Sequence, residues 1–266
     1  MTRNWLAQLR GVMRLELRKS PFGRRALPIY LIGLLPVIPV VLFVLVTSMT
    51  GVPSELQDGS GATMFFMVVF EFILRFVVYL GCVWVFMNLF RGEVIDRSLH
   101  YYFLTPIRRE ILVAGKYLAG WMTTAIVLGG TTVLCFLIVY GYLGRGATGA
   151  GSLMLQYVGV VVLACLGYGA VFLVVGLFLR TLVVPALIIF LVEFANPFLP
   201  AALKKISVIY YLQGLRPLPP PDGPIQIVAE PVSAWIAIPG FILFTALTLV
   251  VAALRIRRME IAYGND

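Results

Sequence analysis

Three ionisable residues stand inside apolar stretches of sequence: Glu71 and Arg75, four positions apart, and Glu193. An unpaired charge at bilayer depth is costly, so such residues are paired, face protein or water, or mark a pathway. Two roles are open to them. Glu71 and Arg75 are one helical turn apart and can pair within a helix, with Glu193 turned into a bundle interior; or all three line a route for a substrate or a proton. A second concentration of chemistry lies in residues 91–117, where charges at 91–97 and 108–116 flank a patch of Leu99, Tyr101, Tyr102, Phe103 and Leu104. Pro106 ends any helix before it, and Thr105 can cap the next. A short helix with this patch, fixed to two spans, suits docking in a groove on a soluble partner. Its tyrosines would also suit the lipid interface.

Enzyme chemistry is not expected. The single histidine, His100, lies in the same loop, and no cluster of His, Cys and carboxylates has metal-ligand spacing, so we assign no catalytic residue and no metal site. Cys82, Cys135 and Cys165 all fall in apolar runs without a CxxC neighbour and read as small buried hydrophobes.

Composition explains where these residues must sit. Of 266 residues, 61% are hydrophobic and 12% charged, and the mean hydropathy is +0.97, whereas a soluble domain carries about 45–50% apolar and about 25% charged residues. A water-soluble globular enzyme is excluded. The net charge of +9 fits loops that meet anionic lipid; with no basic patch interleaved with aromatic stacking platforms, nucleic acid is not an expected partner.

Apolar runs at 27–49, 63–90, 118–143, 152–179, 182–203 and 234–256 are each long enough to cross a bilayer as a helix, giving six spans with both termini on one side. Sixteen Lys and Arg of the connecting segments fall on the side of the termini and four (Arg145, Lys204, Lys205, Arg216) on the other, with Arg75 inside a span. The positive-inside rule makes both termini cytoplasmic, with the chain multi-pass in the inner (plasma) membrane. Residues 1–25 are not expected to act as a cleavable signal, since the charged region is long and the apolar segment after it is a full span. At 100° per residue Trp5, Leu6, Leu9, Val12, Met13 and Leu17 gather on one side and Arg3, Arg10, Arg14 and Arg18 on another, predicting an amphipathic helix in the cytoplasmic interface. Glu16 falls on the apolar face and interrupts it. Domains follow: the amphipathic helix at 1–25, a membrane domain at 26–256 and a tail at 257–266.

Prolines at 28, 36, 39, 185, 197, 200 and 239 favour kinks or breaks. Asn196-Pro197 is the strongest, because proline disfavours helix at the residue before it, so the fifth span is expected to stop short and re-enter. Gly159, Gly167, Gly169 and Gly176 in the fourth span suit close helix packing. The external connection, 204–233, is proline-rich, with Tyr210 and Tyr211 near an interfacial belt.

The segment after the second span resembles that of ABC-2 permeases, the membrane halves of many ATP-binding-cassette exporters. Glu93, Ser98, Leu99, Thr105, Pro106, Arg109, Gly115 and Lys116 fall at the family's places without a gap; Arg97 stands where the family prefers Gly, and Tyr101 and Tyr102 where it prefers Leu. The resemblance implies an all-α integral membrane fold of six transmembrane helices with an N-terminal interfacial helix, in the manner of type V exporters. It implies a second permease, in a homodimer or heterodimer, and a separate ATP-binding subunit for each. The loop would supply the coupling helix, through Glu93, Arg97, Leu99, Tyr101, Tyr102, Leu104, Pro106, Arg109 and Lys116. This chain has no Walker A sequence, since Gly115-Lys116 precedes Tyr117 without the Gly-x4 turn that wraps phosphates; ATP and Mg would therefore belong to the partner, and this chain would bind no cofactor. The alternatives are a permease-like anchor that moves no cargo of its own and an ion-driven secondary carrier.

Overall fold

The structure, a computed structural model, describes residues 3–19, 27–53, 56, 61–95, 109–143, 149–179, 181, 183–205, 207–218 and 233–257. The described residues form helices joined by turns. In chain order they are α1 (Arg3–Lys19), α2 (Leu27–Leu34), α3 (Val37–Thr50), α4 (Gly61–Phe72), α5 (Tyr79–Ile95), α6 (Arg109–Leu143), α7 (Ala150–Phe178), α8 (Val183–Phe194), α9 (Val208–Gln213) and α10 (Ala234–Arg257).

Proline placement accounts for several helix ends. Pro28 and Pro39 fall in the first turns of α2 and α3, and Pro185 in that of α8, where the missing N–H has no helical partner to lose. Pro36 breaks the first apolar run into α2 and α3, and Gly51, at φ 88°, ends α3 in a conformation that glycine adopts without strain. Between α4 and α5 the helix continues as a π-helical segment, Ile73–Val78, whose wider turn carries Arg75. At Pro239 the helix does not break: α10 runs on through it.

Among the described residues, five helical stretches are long and apolar enough to span a membrane: Leu27–Thr50, Gly61–Phe90, Arg109–Leu143, Ala150–Phe178 and Trp235–Arg257. The expected fifth run gives instead the twelve-residue α8. It stops at Asn196-Pro197, passes through a 3-10 turn at Asn196–Phe198 and a single turn at Ala201–Lys204, and resumes as α9. The third span also differs from expectation: helix begins at Arg109, so residues 109–117, read as loop, are its first turns, and residues 91–95 are the last of α5.

The core lies where α5, α6 and α7 meet. Gly169 and Gly176 in α7 let α5 approach: a methyl group at Gly169 would sit 2.5 Å from Cζ of Phe86, and one at Gly176 would sit 3.0 Å from the Met87 backbone. Gly159, read with them as a packing glycine, faces open space. Tyr117 and Trp121 of α6 donate to the carbonyls of Leu166 and Val162 in α7, at 2.6 and 3.1 Å. The outward faces of α3, α8 and α10 carry exposed apolar side chains such as Met49, Val183 and Trp235, as lipid-facing surfaces do.

Candidate functional site

Chemistry gathers at three places. The first is the end of the bundle where α5 finishes and α6 begins. There α1 lies across the start of α6, with Val12 packed over Gly115 so closely that a methyl at that glycine would sit 2.7 Å from Cγ1 of Val12. The next residue, Lys116, is completely buried and donates from Nζ to Oε1 of Glu16 at 2.5 Å. Its ammonium also lies over the Phe90 ring, 5.6 Å from the centroid. Glu16, which spoils the apolar face of α1 when that helix is read alone, is therefore the partner of a buried cation. Beside it, Arg109 donates from Nη1 to the carbonyls of Arg257 and Ile256, at 3.2 and 3.5 Å, satisfying acceptors that the last turn of α10 leaves open. Glu110 pairs with Arg257 across the same junction.

Of the expected docking residues, Arg109 and Lys116 are thus anchors between elements. Glu93 lies in α5, and its side chain is outside the described residues. Arg97, Leu99, Tyr101, Tyr102, Leu104 and Pro106 also lie outside them, together with His100. The described flanks, Ile95 and Arg109, both belong to the end of the bundle that holds α1 and the finish of α10.

The second place is the interruption between α8 and α9. The Glu193 carboxylate is buried there and accepts from the backbone N–H groups of Val208 and Ile209 at 2.9 and 3.1 Å. It also accepts from the hydroxyls of Ser207 and Tyr168, at 2.7 and 3.2 Å. In lipid every backbone polar group needs a partner inside the protein, and the first N–H groups of a helix have none of their own. Glu193 supplies it, and so joins two short helices across a break.

At the third place, Glu71 pairs with Arg75 one turn along and also with Arg216, whose Nη1 stands 2.7 Å from Oε2. Arg216 follows α9, so the segment counted as an external connection reaches back against α4. The three charged groups line a cavity of about 380 Å³ with Tyr157 and the aromatic walls Phe72 and Phe76.

Glu71 and Arg75 therefore share one site, and Arg75 also lines a second, smaller cavity with Glu193, Tyr79 and Tyr168. Reading the sequence missed Arg216, Tyr157, Tyr168 and Ser207. Only Glu16 carried a signal, as a charge on an apolar face.

A family model described as CcmB protein matches residues 69–213. The chain belongs to the CcmB family. Members of that family are membrane subunits of ABC-type transporters and work with an ATP-binding subunit. The matched stretch runs from α4 to the end of α9 and so takes in the π-helical segment, both flanks of residues 96–108, and the interruption capped by Glu193. No curated protein matches the chain.

Proposed function

We propose that this CcmB-family chain is the permease of an exporter with the ABC-2 arrangement, driven by a separate ATPase through residues 96–108. The reading is supported above all by the mechanical linkage at that end of the bundle. One flank of the loop continues α5. The other, Arg109 to Lys116, is tied to α1 by the buried ion pair and to the finish of α10 by Arg109 and Glu110. A push on the loop is thereby shared by α5, α6, α1 and α10 instead of being absorbed in one helix end. In this reading both termini are cytoplasmic in the inner membrane, and α8 with α9 makes a sixth, interrupted crossing. The permease works as a pair. Heme, the cargo associated with the family, is the first substrate to test.

The test is gentle extraction through a tag on this chain, with every co-purifying subunit identified by mass spectrometry. An ATP-binding-cassette subunit in equal amount is expected. Its absence, where other complexes survive extraction, removes the power source and turns attention to an ion-driven carrier. In the assembled complex, Leu99→Glu and Tyr102→Glu are expected to leave assembly and ATP hydrolysis in place while transport falls. Unchanged transport per ATP would overturn the coupling role of the loop, and an intact complex that moves no cargo would identify an anchor.

A further inference from the structure

We propose that the cavity bounded by α4, the π-helical segment, α7 and the residues after α9 binds an acidic amphiphile, a molecule with a phosphate or carboxylate head on an apolar body, taken from the surrounding bilayer. Among the described residues the site holds two guanidinium groups, Arg75 and Arg216, against one carboxylate, Glu71, an excess of positive charge. The Arg216 side chain is only 9% exposed and spends Nη1 on Glu71. Its Nε and Nη2 are buried without a hydrogen-bond partner among the described residues, and so is the hydroxyl of Tyr157, a residue only 2% exposed.

Those vacant groups define the ligand. Nε and Nη2 share one edge of the guanidinium, the edge that can grip an oxyanion through two parallel hydrogen bonds. Guanidinium nitrogens donate and never accept, so the missing partner is an acceptor, and the excess charge makes it an anion. The remaining wall is apolar. Val68 and Phe76, both lining the cavity, are also exposed on the outer surface of the bundle, so the cavity opens sideways onto surface that lipid covers. About 380 Å³ is near the lower end of ligand-site volumes and suits a head group with the first part of its chain. A free ion would have to reach the site past apolar side chains, whereas an amphiphile carries its own apolar body to the opening. The proposal does not depend on the transport reading, because binding requires no ATP.

The test uses the full-length chain with its co-purified subunits, stripped of lipid in detergent and titrated separately with phosphatidylglycerol, oleate, phosphatidylcholine and inorganic phosphate. Retained lipid per chain is read by mass spectrometry, and protection by the melting temperature. Phosphatidylglycerol and oleate are expected to be retained and protective, phosphatidylcholine and phosphate not. Arg216→Gln should weaken retention about tenfold or more, the scale of lost charge-assisted hydrogen bonds. Tyr157→Phe keeps the ring packed on Phe66 and Phe70, at centroid distances of 4.9 and 4.5 Å. It should weaken retention about threefold with the lipid-free melting temperature unchanged, so the test survives if the arginine variant fails to fold. Equal retention of phosphatidylglycerol and phosphatidylcholine would overturn the proposal. So would phosphate protecting as well as the amphiphiles, or Tyr157→Phe retaining lipid like the unaltered protein.

Discussion

Lys116 Nζ and Glu16 Oε1 stand 2.5 Å apart, joining α6 to α1 across 100 positions of sequence. The lysine is wholly buried and the glutamate side chain 14% exposed, so removal of the carboxylate takes the Glu16 ion pair from an ammonium where water does not reach. Glu16→Gln is expected to destabilise the folded protein by about 3 kcal/mol, the low end of the range for breaking a buried pair. Replacing both residues together, Glu16→Leu with Lys116→Met, should recover most of that loss. Unfolding of the single and double variants in detergent completes the cycle, and strictly additive losses would show that the two residues do not act as a pair.

Glu193 accepts four hydrogen bonds at the α8–α9 interruption. Glu193→Gln puts an amide NH₂ where donors already converge, at a cost of about 1–3 kcal/mol for the group left unsatisfied. Amide hydrogen exchange should accelerate in residues 207–213 while α5 and α7 keep their protection. Altered transport with unchanged exchange in that segment would instead assign Glu193 to a substrate or proton route.

Gly169 has no room for a methyl beside Phe86. Gly169→Ala should therefore destabilise by about 1–3 kcal/mol, the usual cost of overpacking, and adding Phe86→Leu should restore part of it. A neutral Gly169→Ala in thermal unfolding would mean that the helices separate here more easily than their packing indicates.

All three cysteines are free and buried. A membrane-permeant maleimide should leave Cys82, Cys135 and Cys165 unlabelled in the folded protein and label each after denaturation, as read by intact mass. Rapid labelling of the native protein would show that the α5–α6–α7 core opens.

The apolar runs and the break at Asn196-Pro197 were legible because both follow from single local rules, hydrocarbon thickness and the proline's missing N–H. The start of α6 was not. Hydropathy falls at Arg109 and Lys116, and charge in a membrane protein looks like loop, yet helix geometry carries on past the apolar length when other elements supply partners for the charges. Six residues of α9 are too few to show a period, so the resumption of helix at Val208 left no pattern to read. Glu16 stood out as a conflict, but its partner lies 100 positions away. Arg216 was hidden by its neighbours: at the head of a proline-rich stretch it reads as one more loop charge, and only the fold brings it to Glu71. Tyr157 has no signal at all, since a tyrosine in an apolar run looks like any other large side chain.

The clasp between α1 and α6 also fixes an order of events during synthesis. The first helix leaves the ribosome long before Lys116 does, and until the third span arrives Glu16 cannot enter the buried pair that joins α1 to α6. The newborn N-terminal helix must therefore wait at the membrane surface, and Lys116 must find it before that turn of α6 can settle among apolar side chains. A chain that begins after Lys19 would present the translocation machinery with a buried lysine deprived of its Glu16 carboxylate, and its third span would be a target for quality-control proteolysis even though every apolar residue of the bundle is intact.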